Sequence, residues 1–537
     1  MASRRSSRSD RRSCSIPYVI ISISVVILLM VYFSETRTRS LKRMVQKPIL
    51  HNLRNGHGGL SLNHLALSMS LGDKNLRQID SESGNITVQP YATTTTPSAA
   101  LGLKYPIWWA APFSSTSGYG AEAVSYITGL WMYDLIREED LWLTQSGGAA
   151  NALNMPDQVS NLLYKLNYRQ QKKVLSRQAL KRCPVIVCHS FPDFWLTPSE
   201  SKYPEAPGSP CPTPEMLKMG KVYKVGRTMF ETDGLQDHLV NHIKQFDEVW
   251  VPTEFNRDTF SSAGISKDKI YVLPESINLD DFDPNRLQPL RISGLKGTQV
   301  AVGNEGGEEP NFVFLSVFKW EGRKGWELLL KAFLEEFKAS EKVELHIVTH
   351  PFMERVYSWK DKVREGIQKR CNLDPGLQDF DKMPRILITS SFIPDDTFPK
   401  LYKGADAWVL PTRGEGWGRP QMEAMAMELP VISTNWSGLT AFLNEQTGYP
   451  IAVDKLVEAK PDGPSFFAYF TGTKWAEPSV THLRKLMRQV VDNRAEGKAK
   501  GKAARQYLKD HFSPEAVAKT LHKLILDVQD RAAANGL

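Results

Sequence analysis

Two glutamates, Glu415 and Glu423, stand eight residues apart in PTRGEGWGRPQMEAMAMELPVISTNWSG, residues 411–438. Gly414, Gly416 and Gly418 lie beside or between them, and Pro420 suits the first turn of a following helix. Glycines let backbone approach a ligand closely, and the free amides and dipole of a helix start at Gly418 to Gln421 favour a phosphate or a sugar hydroxyl. Glu423 sits among Met422, Ala424, Met425 and Met427, so it is a carboxylate on a small-residue helix between two buried strands and needs a partner. A ribose diol would serve. Without the surrounding glycines the same pair would read as solvated or capping side chains. A second cluster lies in VFKWEGRKGWELLLKAF, residues 317–333, where Lys319, Arg323 and Lys324 occupy a loop between an apolar run and an amphipathic helix. At the carboxyl end of a strand these cations can reach a diphosphate; an ordinary solvated turn is the alternative.

The elements that must position these loops are short apolar runs alternating with helical patterns, as buried parallel sheets require. YPIWWAAPF (105–113), DLWLTQSG (140–147), CPVIVCHS (183–190), KVYKVGRTMFE (221–231), FDEVWVPT (246–253) and KIYVLPESI (269–277) form one series. A helix is expected from Ala121 to Ile136. NFVFLSVF (311–318), KVELHIVTH (342–350), RILITSSF (385–392), AWVLPT (407–412) and PVISTN (430–435) form a second, with helices over Trp326–Phe337 and Met422–Glu428. The pattern predicts an α/β fold of two Rossmann-like, doubly wound parallel-sheet domains. The first spans 104–290, a Pro- and Gly-rich connection spans 291–310, and the second spans 311–537 with LRKLMRQVVD and VAKTLHKLILDVQ as terminal α-helices.

A chain of 537 residues suits two cores of roughly 200 residues each once terminal appendages are removed. The net charge of +8 is modest and concentrated in the first 47 residues, which argues against nucleic acid as a partner. Ile16–Phe33 carries no charge and has about the minimum length that crosses a bilayer as a helix. SETRTRSLKR follows without a small-residue cleavage site, so the segment reads as a transmembrane anchor rather than a removed signal. Residues 1–15 are then a cytosolic tail and 34–103 a polar stem. Arg4, Arg5, Arg8, Arg11 and Arg12 before the span are matched by Arg37, Arg39, Lys42, Arg43 and Lys47 after it, so the flanking charges are balanced. Five widely spaced cysteines exclude a disulfide scaffold and any thiolate metal cluster. Cys183, Cys188 and Cys211 share one region and could form a single bridge in a lumen; buried free thiols are the expectation.

GEGWGRPQME resembles the Glu-x7-Glu segment of family-4 retaining glycosyltransferases (glycosyl transferases group 1), and FKWEGRKGWELLLKAF resembles their diphosphate loop. ADAWVLPTRGEGWG and ELPVISTNWSG are similar to the flanking strands, so the resemblance is specific from Asn311 to about Tyr449. It is thinner before that, where SSTSGYGAEA resembles the first glycine loop and FDEVWVPTEFNRDTF the last strand and helix of the N-terminal domain. The resemblance implies the GT-B architecture and transfer of a hexose, with retained configuration, from a UDP- or GDP-sugar to an acceptor hydroxyl on a glycan, polysaccharide or lipid. The alternative is a catalytically silent, sugar-nucleotide-binding subunit of a membrane complex.

Carried over by residue, the resemblance implies that Glu423 binds the donor ribose and Glu415 the transferred sugar. Lys319 and Lys324 would hold the diphosphate, with Arg323, Gly414, Gly416, Trp417 and Gly418 around the donor, while Gly118 and Gly120 line the acceptor side. It implies no metal and no cofactor. Lys319 departs from the family's usual arginine and loses the bidentate fork. Relatives place a histidine near the transferred sugar where this chain reads MFETD, so Glu231 or His189 takes that role; a core or capping role is the alternative for each. The common arrangement of anchored members is a type II protein of the Golgi or endoplasmic reticulum with a lumenal catalytic part. The sequon Asn85-Ile86-Thr87 would be used only there, and Asn435, in the donor loop, is expected to stay unmodified.

Overall fold

The computed structural model describes residues 102–115, 117–146, 157–167, 182–195, 211–352, 354–373, 379–460 and 470–537. The anchor at Ile16–Phe33, the tail before it, all but the last two residues of the stem and the Asn85 sequon lie outside the described residues. No helix among the described residues is long and apolar enough to cross a membrane.

The first sheet contains β1 (Ile107–Ala111), β2 (Leu141–Gln145), β3 (Val185–His189), β4 (Tyr223–Arg227), β5 (Glu248–Val251) and β6 (Ile270–Val272). All pairings are parallel and the spatial order is β2-β1-β3-β4-β5-β6. The second sheet contains β7 (Gln299–Val302), β8 (Phe312–Trp320), β9 (Val343–Pro351), β10 (Ile386–Thr389), β11 (Ala407–Leu410), β12 (Val431–Thr434) and β13 (Tyr449–Ile451). Its order is β13-β12-β11-β8-β9-β10-β7, parallel except for β7, which runs antiparallel to β10. Strand order reverses between β1 and β3 in the first sheet and between β8 and β11 in the second. A crevice opens at the carboxyl ends of those strands, which is where such sheets bind ligands.

Local chemistry sets the helices that matter for the site. Helix α1 (Gly118–Met132) starts three residues earlier than expected because the Ser117 hydroxyl accepts the Gly120 amide and caps it. Helix α2 (Trp326–Glu336) follows the basic loop and buries Trp326, Leu329, Leu330 and Phe333. Helix α3 (Arg419–Ala426) begins after Gly418, whose φ of 112° is open to glycine, and carries Pro420 in its first turn. Then come α4 (Val480–Asp492), α5 (Arg494–His511) and α6 (Pro514–Ala534).

Three expectations change. The connection at 291–310 contributes β7, an edge strand too short and too mixed in polarity to register as one. The last helix leaves the second half: Val517, Leu521, Leu524, Ile525, Val528 and Ala532 of α6 pack into the core under β1 and α1, and the Arg531 Nε donates to Glu248 at 2.6 Å. An apolar stripe of helical period says that a face is buried but not against which sheet. Finally, Cys188 and Cys211 form a disulfide, whereas Cys183 and Cys371 are free; spacing alone could not bring together two residues that the β3-to-211 excursion returns to one place. Beyond the second sheet, β14 (Val453–Glu458) and β15 (Lys474–Pro478) make an antiparallel hairpin that was not expected.

Leu521→Ala in α6 should therefore weaken the first sheet, by about 2–5 kcal/mol for a buried leucine truncation. Hydrogen exchange of β1 and β3 amides checks this, and a loss of protection confined to β8–β13 would contradict the assignment of α6 to the first core.

Candidate functional site

The β8 and β11 loops meet at the reversal point of the second sheet. Gly325 makes the turn into α2 with φ +64°, and a Cβ there would come within 2.1 Å of the Pro411 carbonyl oxygen, so only glycine lets the two loops lie side by side. The contact sets Lys324 against Glu415: its Nζ donates to Oε1 at 2.8 Å and to Oε2 at 2.7 Å. Arg323 donates to Glu415 Oε2 at 3.3 Å, to Glu321 Oε1 at 2.8 Å and to the Gly414 carbonyl, and lies 3.4 Å from Glu231 of the first half. The Glu415 backbone N–H donates to the Ser437 hydroxyl at 2.9 Å, which fixes the loop from the other side.

Electrostatics follow from this packing. Burial alone would raise the Glu415 carboxyl, but Lys324 and then Arg323 outweigh it and hold it below the ordinary range. Glu231 goes the other way: burial raises it, Arg323 only partly offsets that, and the neighbouring Glu415 adds to the rise. Glu423 is also raised by burial, against Arg419 and a hydrogen bond of 2.8 Å from the Tyr402 hydroxyl. Lys319, lowered by burial, stands 4.1 Å over the Phe352 ring and 3.7 Å from Glu321. Lys319, Arg323, Lys324, His350 and Pro420 line a cavity of about 670 Å³ at the carboxyl ends of β8, β9 and β10.

The structure thus brings together Glu415, Lys324, Arg323, Glu231, Lys319 and the start of α3, with Glu423 one turn into that helix. It revises other positions. His189 is completely buried; its Nδ1 accepts the Trp109 indole N–H at 3.3 Å and its Nε2 meets Glu122 at 2.8 Å, so it is a core residue. Trp417 is also core, wedged against Phe442 and Phe512. Gly414 and Gly416 make room for the first half rather than for a ligand, since Cβ atoms there would fall 2.7 Å from the Glu231 carbonyl oxygen and 2.4 Å from Met229 Sδ. Gly120 is required by a turn, with a Cβ 2.2 Å from the Ser115 carbonyl oxygen, while Gly118 faces open space.

Sequence reasoning missed four participants. Glu321 sits inside the quoted basic loop, and Arg419 inside the glycine segment, so both were visible but unassigned. Tyr402 and Glu275 carry no local signal. Glu275 is 1% exposed, and the Arg419 Nη1 donates to its Oε2 at 3.2 Å, joining α3 to the end of β6.

Residues 309–460 match the family described as Glycosyl transferases group 1. That segment resembles a group 1 glycosyltransferase domain. It holds β8–β13 and α3, and thus every second-half residue of the cluster; paired with the first sheet it makes the GT-B arrangement. The chain is similar to mannosylfructose-phosphate synthase of Agrobacterium fabrum (strain C58 / ATCC 33970), 25% identical over 33% of this chain and 35% of that protein. It is similar to human alpha-1,3/1,6-mannosyltransferase ALG2, 22% identical over 66% of this chain and 68% of the relative. The chain thus spans about a third of the first of these relatives and two thirds of the second. Among solved structures, the Anabaena HepE protein in complex with UDP and glucose overlays with a TM-score of 0.49 at 12% identity, covering 79% of this chain and 100% of that one. Sucrose-phosphate synthase from Thermosynechococcus elongatus gives 0.49 at 15% identity, covering 79% and 99%. Neither overlay assigns a ligand to this chain.

Gly325→Ala should force the β8 loop away from Pro411 and separate Lys324 from Glu415. A left-handed position alone costs about 1–3 kcal/mol for a residue with a Cβ, and the contact at 2.1 Å adds to it. The expected outcome is a lower melting temperature together with weakened nucleotide binding by calorimetry; unchanged binding would mean that the loop contact is not needed for the site.

Proposed function

We propose that the protein is a retaining hexosyltransferase that moves a sugar from a nucleoside diphosphate to an acceptor hydroxyl on a glycan, polysaccharide or lipid without a metal. The observation that carries this is the Lys324 and Arg323 cation pair beside Glu415 at the strand-order reversal of a group 1 domain, facing the free amides that open α3. A diphosphate entering the cavity would take over Lys324 and the backbone amides of Gly418, Arg419 and Gln421, Pro420 having none to offer. The positive charge there stabilises the departing phosphate, the service a metal performs in other enzymes.

In this reading Glu423 receives the ribose hydroxyls, whose hydrogen bonds would offset the burial that raises its carboxyl. Glu415, kept ionised by the cations it now holds, would face the transferred sugar and stabilise positive charge developing at the anomeric carbon. The leaving phosphate oxygen accepts the acceptor proton, so attack occurs from the face the leaving group vacates and configuration is retained. Glu231 reaches the same point from the first half, where its carboxyl, raised by burial, lies 3.4 Å from Arg323 and would meet a sugar hydroxyl.

The acceptor would lie against the first sheet near Gly118, whose amide end of α1 is open. Ile16–Phe33 would anchor the chain with the catalytic part in the lumen of the Golgi or endoplasmic reticulum. A disulfide between Cys188 and Cys211 favours such an oxidising compartment over the cytosol. One relative is named a mannosyltransferase, so GDP-mannose joins UDP-glucose as the first donors to assay.

Purified protein should turn over one of these donors with EDTA present, and NMR of the product should show retained configuration. Glu423→Ala and Lys324→Ala should each lower kcat/KM by about a hundredfold or more, as expected for lost charged contacts to the reacting ligand. Inversion, or unchanged turnover in both variants, refutes the assignment; binding without turnover of any donor would instead indicate a silent sugar-nucleotide-binding subunit.

A further inference from the structure

Arg419 opens the helix that carries Glu423, four residues before it and so on the same face. An arginine and a glutamate at this spacing ordinarily meet. Here they do not. The Arg419 guanidinium turns toward the first half and donates to Glu275 at 3.2 Å, while the Glu423 carboxylate accepts the Tyr402 hydroxyl at 2.8 Å. Glu275 exerts the strongest attraction on Arg419, and Glu423 the next strongest.

Glu275 is well placed to win this competition. It is 1% exposed, three residues beyond the end of β6, and the backbone N–H two residues further on, at Ile277, donates to the Phe512 carbonyl at 3.0 Å. Both crossings of the chain between the halves are thereby tied together beside it. Burial and the nearby Glu122 push the Glu275 carboxyl up to about 8, with Arg419 and Arg227 pulling it back. Either protonation state keeps an oxygen that accepts from the guanidinium. A buried carboxyl with a fixed backbone loses little freedom on making that bond. Arg419, whose side chain remains 30% exposed, keeps enough room to swing along the helix if released.

We propose that Glu275 is a positioning residue of the donor site: it holds Arg419 away from Glu423, so that the Glu423 carboxylate is left free for the ribose hydroxyls. Without Glu275, Arg419 falls back along the helix face onto Glu423. An intrahelical pair then occupies the group the donor needs, and donor binding must break it. This rests on the donor-binding reading of Glu423. It assigns a role to a residue pair that joins the two halves but touches no substrate.

Glu275→Met removes the acceptor at nearly constant volume. In the full chain, donor KM should rise about tenfold, the effect of one charge-assisted hydrogen bond that binding must break, with kcat at saturation within about twofold. Arg419→Gln alone removes the competitor, and its KM is the reference for the double variant. The double variant, Glu275→Met with Arg419→Gln, should restore KM to that of Arg419→Gln. A merely structural role for Glu275 predicts no such rescue, so a double variant as weak as Glu275→Met overturns the proposal, as does an unchanged KM in Glu275→Met. If Glu275→Met does not fold, Glu275→Ala, which also removes the acceptor, replaces it, and the same rescue is required. Failure of the wild-type protein to bind any nucleotide sugar would instead refute the donor-site reading itself, which the wild-type arm of the titration reports separately.

Discussion

One guanidinium gathers the centre of this molecule. Arg323 makes contact with carboxylates from three separate segments, Glu321 in its own loop, Glu415 after β11 and Glu231 after β4, and with the carbonyl of Gly414. Only 16% of its side chain is exposed. An arginine so enclosed is far more costly to leave unpaired than a surface ion pair is to lose, because each desolvated charge needs its partner. The fork geometry of a guanidinium also fixes directions, which a lysine at the same place would not. Consequently the β8 loop, the β11 loop and the first half are held in one mutual arrangement, and Lys324 is left with Glu415 as its partner.

This arrangement changes what the glycine-rich segment is for. A glycine loop at a helix start is commonly read as clearance for a phosphate, and Gly418 does open α3 in a conformation other residues avoid. Gly414 and Gly416, however, are packed against Glu231 and Met229 of the other half. Their missing side chains allow two protein surfaces to close, and the indole N–H of Trp436 donates to the Glu231 carbonyl at 3.0 Å as part of the same seam. The cavity wall is instead built by Lys319 of β8, by Arg323 and Lys324 of the loop after it, and by Pro420 in the first turn of α3.

How far this could be read beforehand depended on what each residue's signal encodes. Strands buried on both faces are continuous apolar runs, so β1, β3, β8, β9 and β11 were legible. The edge strand β7, the three-residue β13 and the polar hairpin of β14 and β15 have no such run. That Glu415, Glu423 and Lys324 lie close to one another was legible because the glycines and strand ends that place them are local in the sequence. Glu231 could be named but not placed, since its partner Arg323 is remote in the chain. His189 and Trp417 misled for the opposite reason: a residue type suited to chemistry looks the same in sequence whether it faces a cleft or, as here, the Glu122 carboxylate and the Phe442 ring. Burial is a tertiary property that periodicity reports only for whole faces.

The two ion pairs that cross between the halves differ in kind, and the difference follows from where the chain itself crosses. Arg419 and Glu275 meet beside Ile277 and Phe512, where the two crossings are hydrogen-bonded to each other. Because α6 returns to the first core, the chain passes this point twice, and both passages restrain it. The Glu275 contact thus sits where the chain itself joins the halves. Arg323 and Glu231 have no covalent crossing near them in sequence, and their contact depends on the halves being together. The first pair therefore ties the start of α3 to the end of the first sheet. The second holds the two faces of the cleft together through a guanidinium that three carboxylates share.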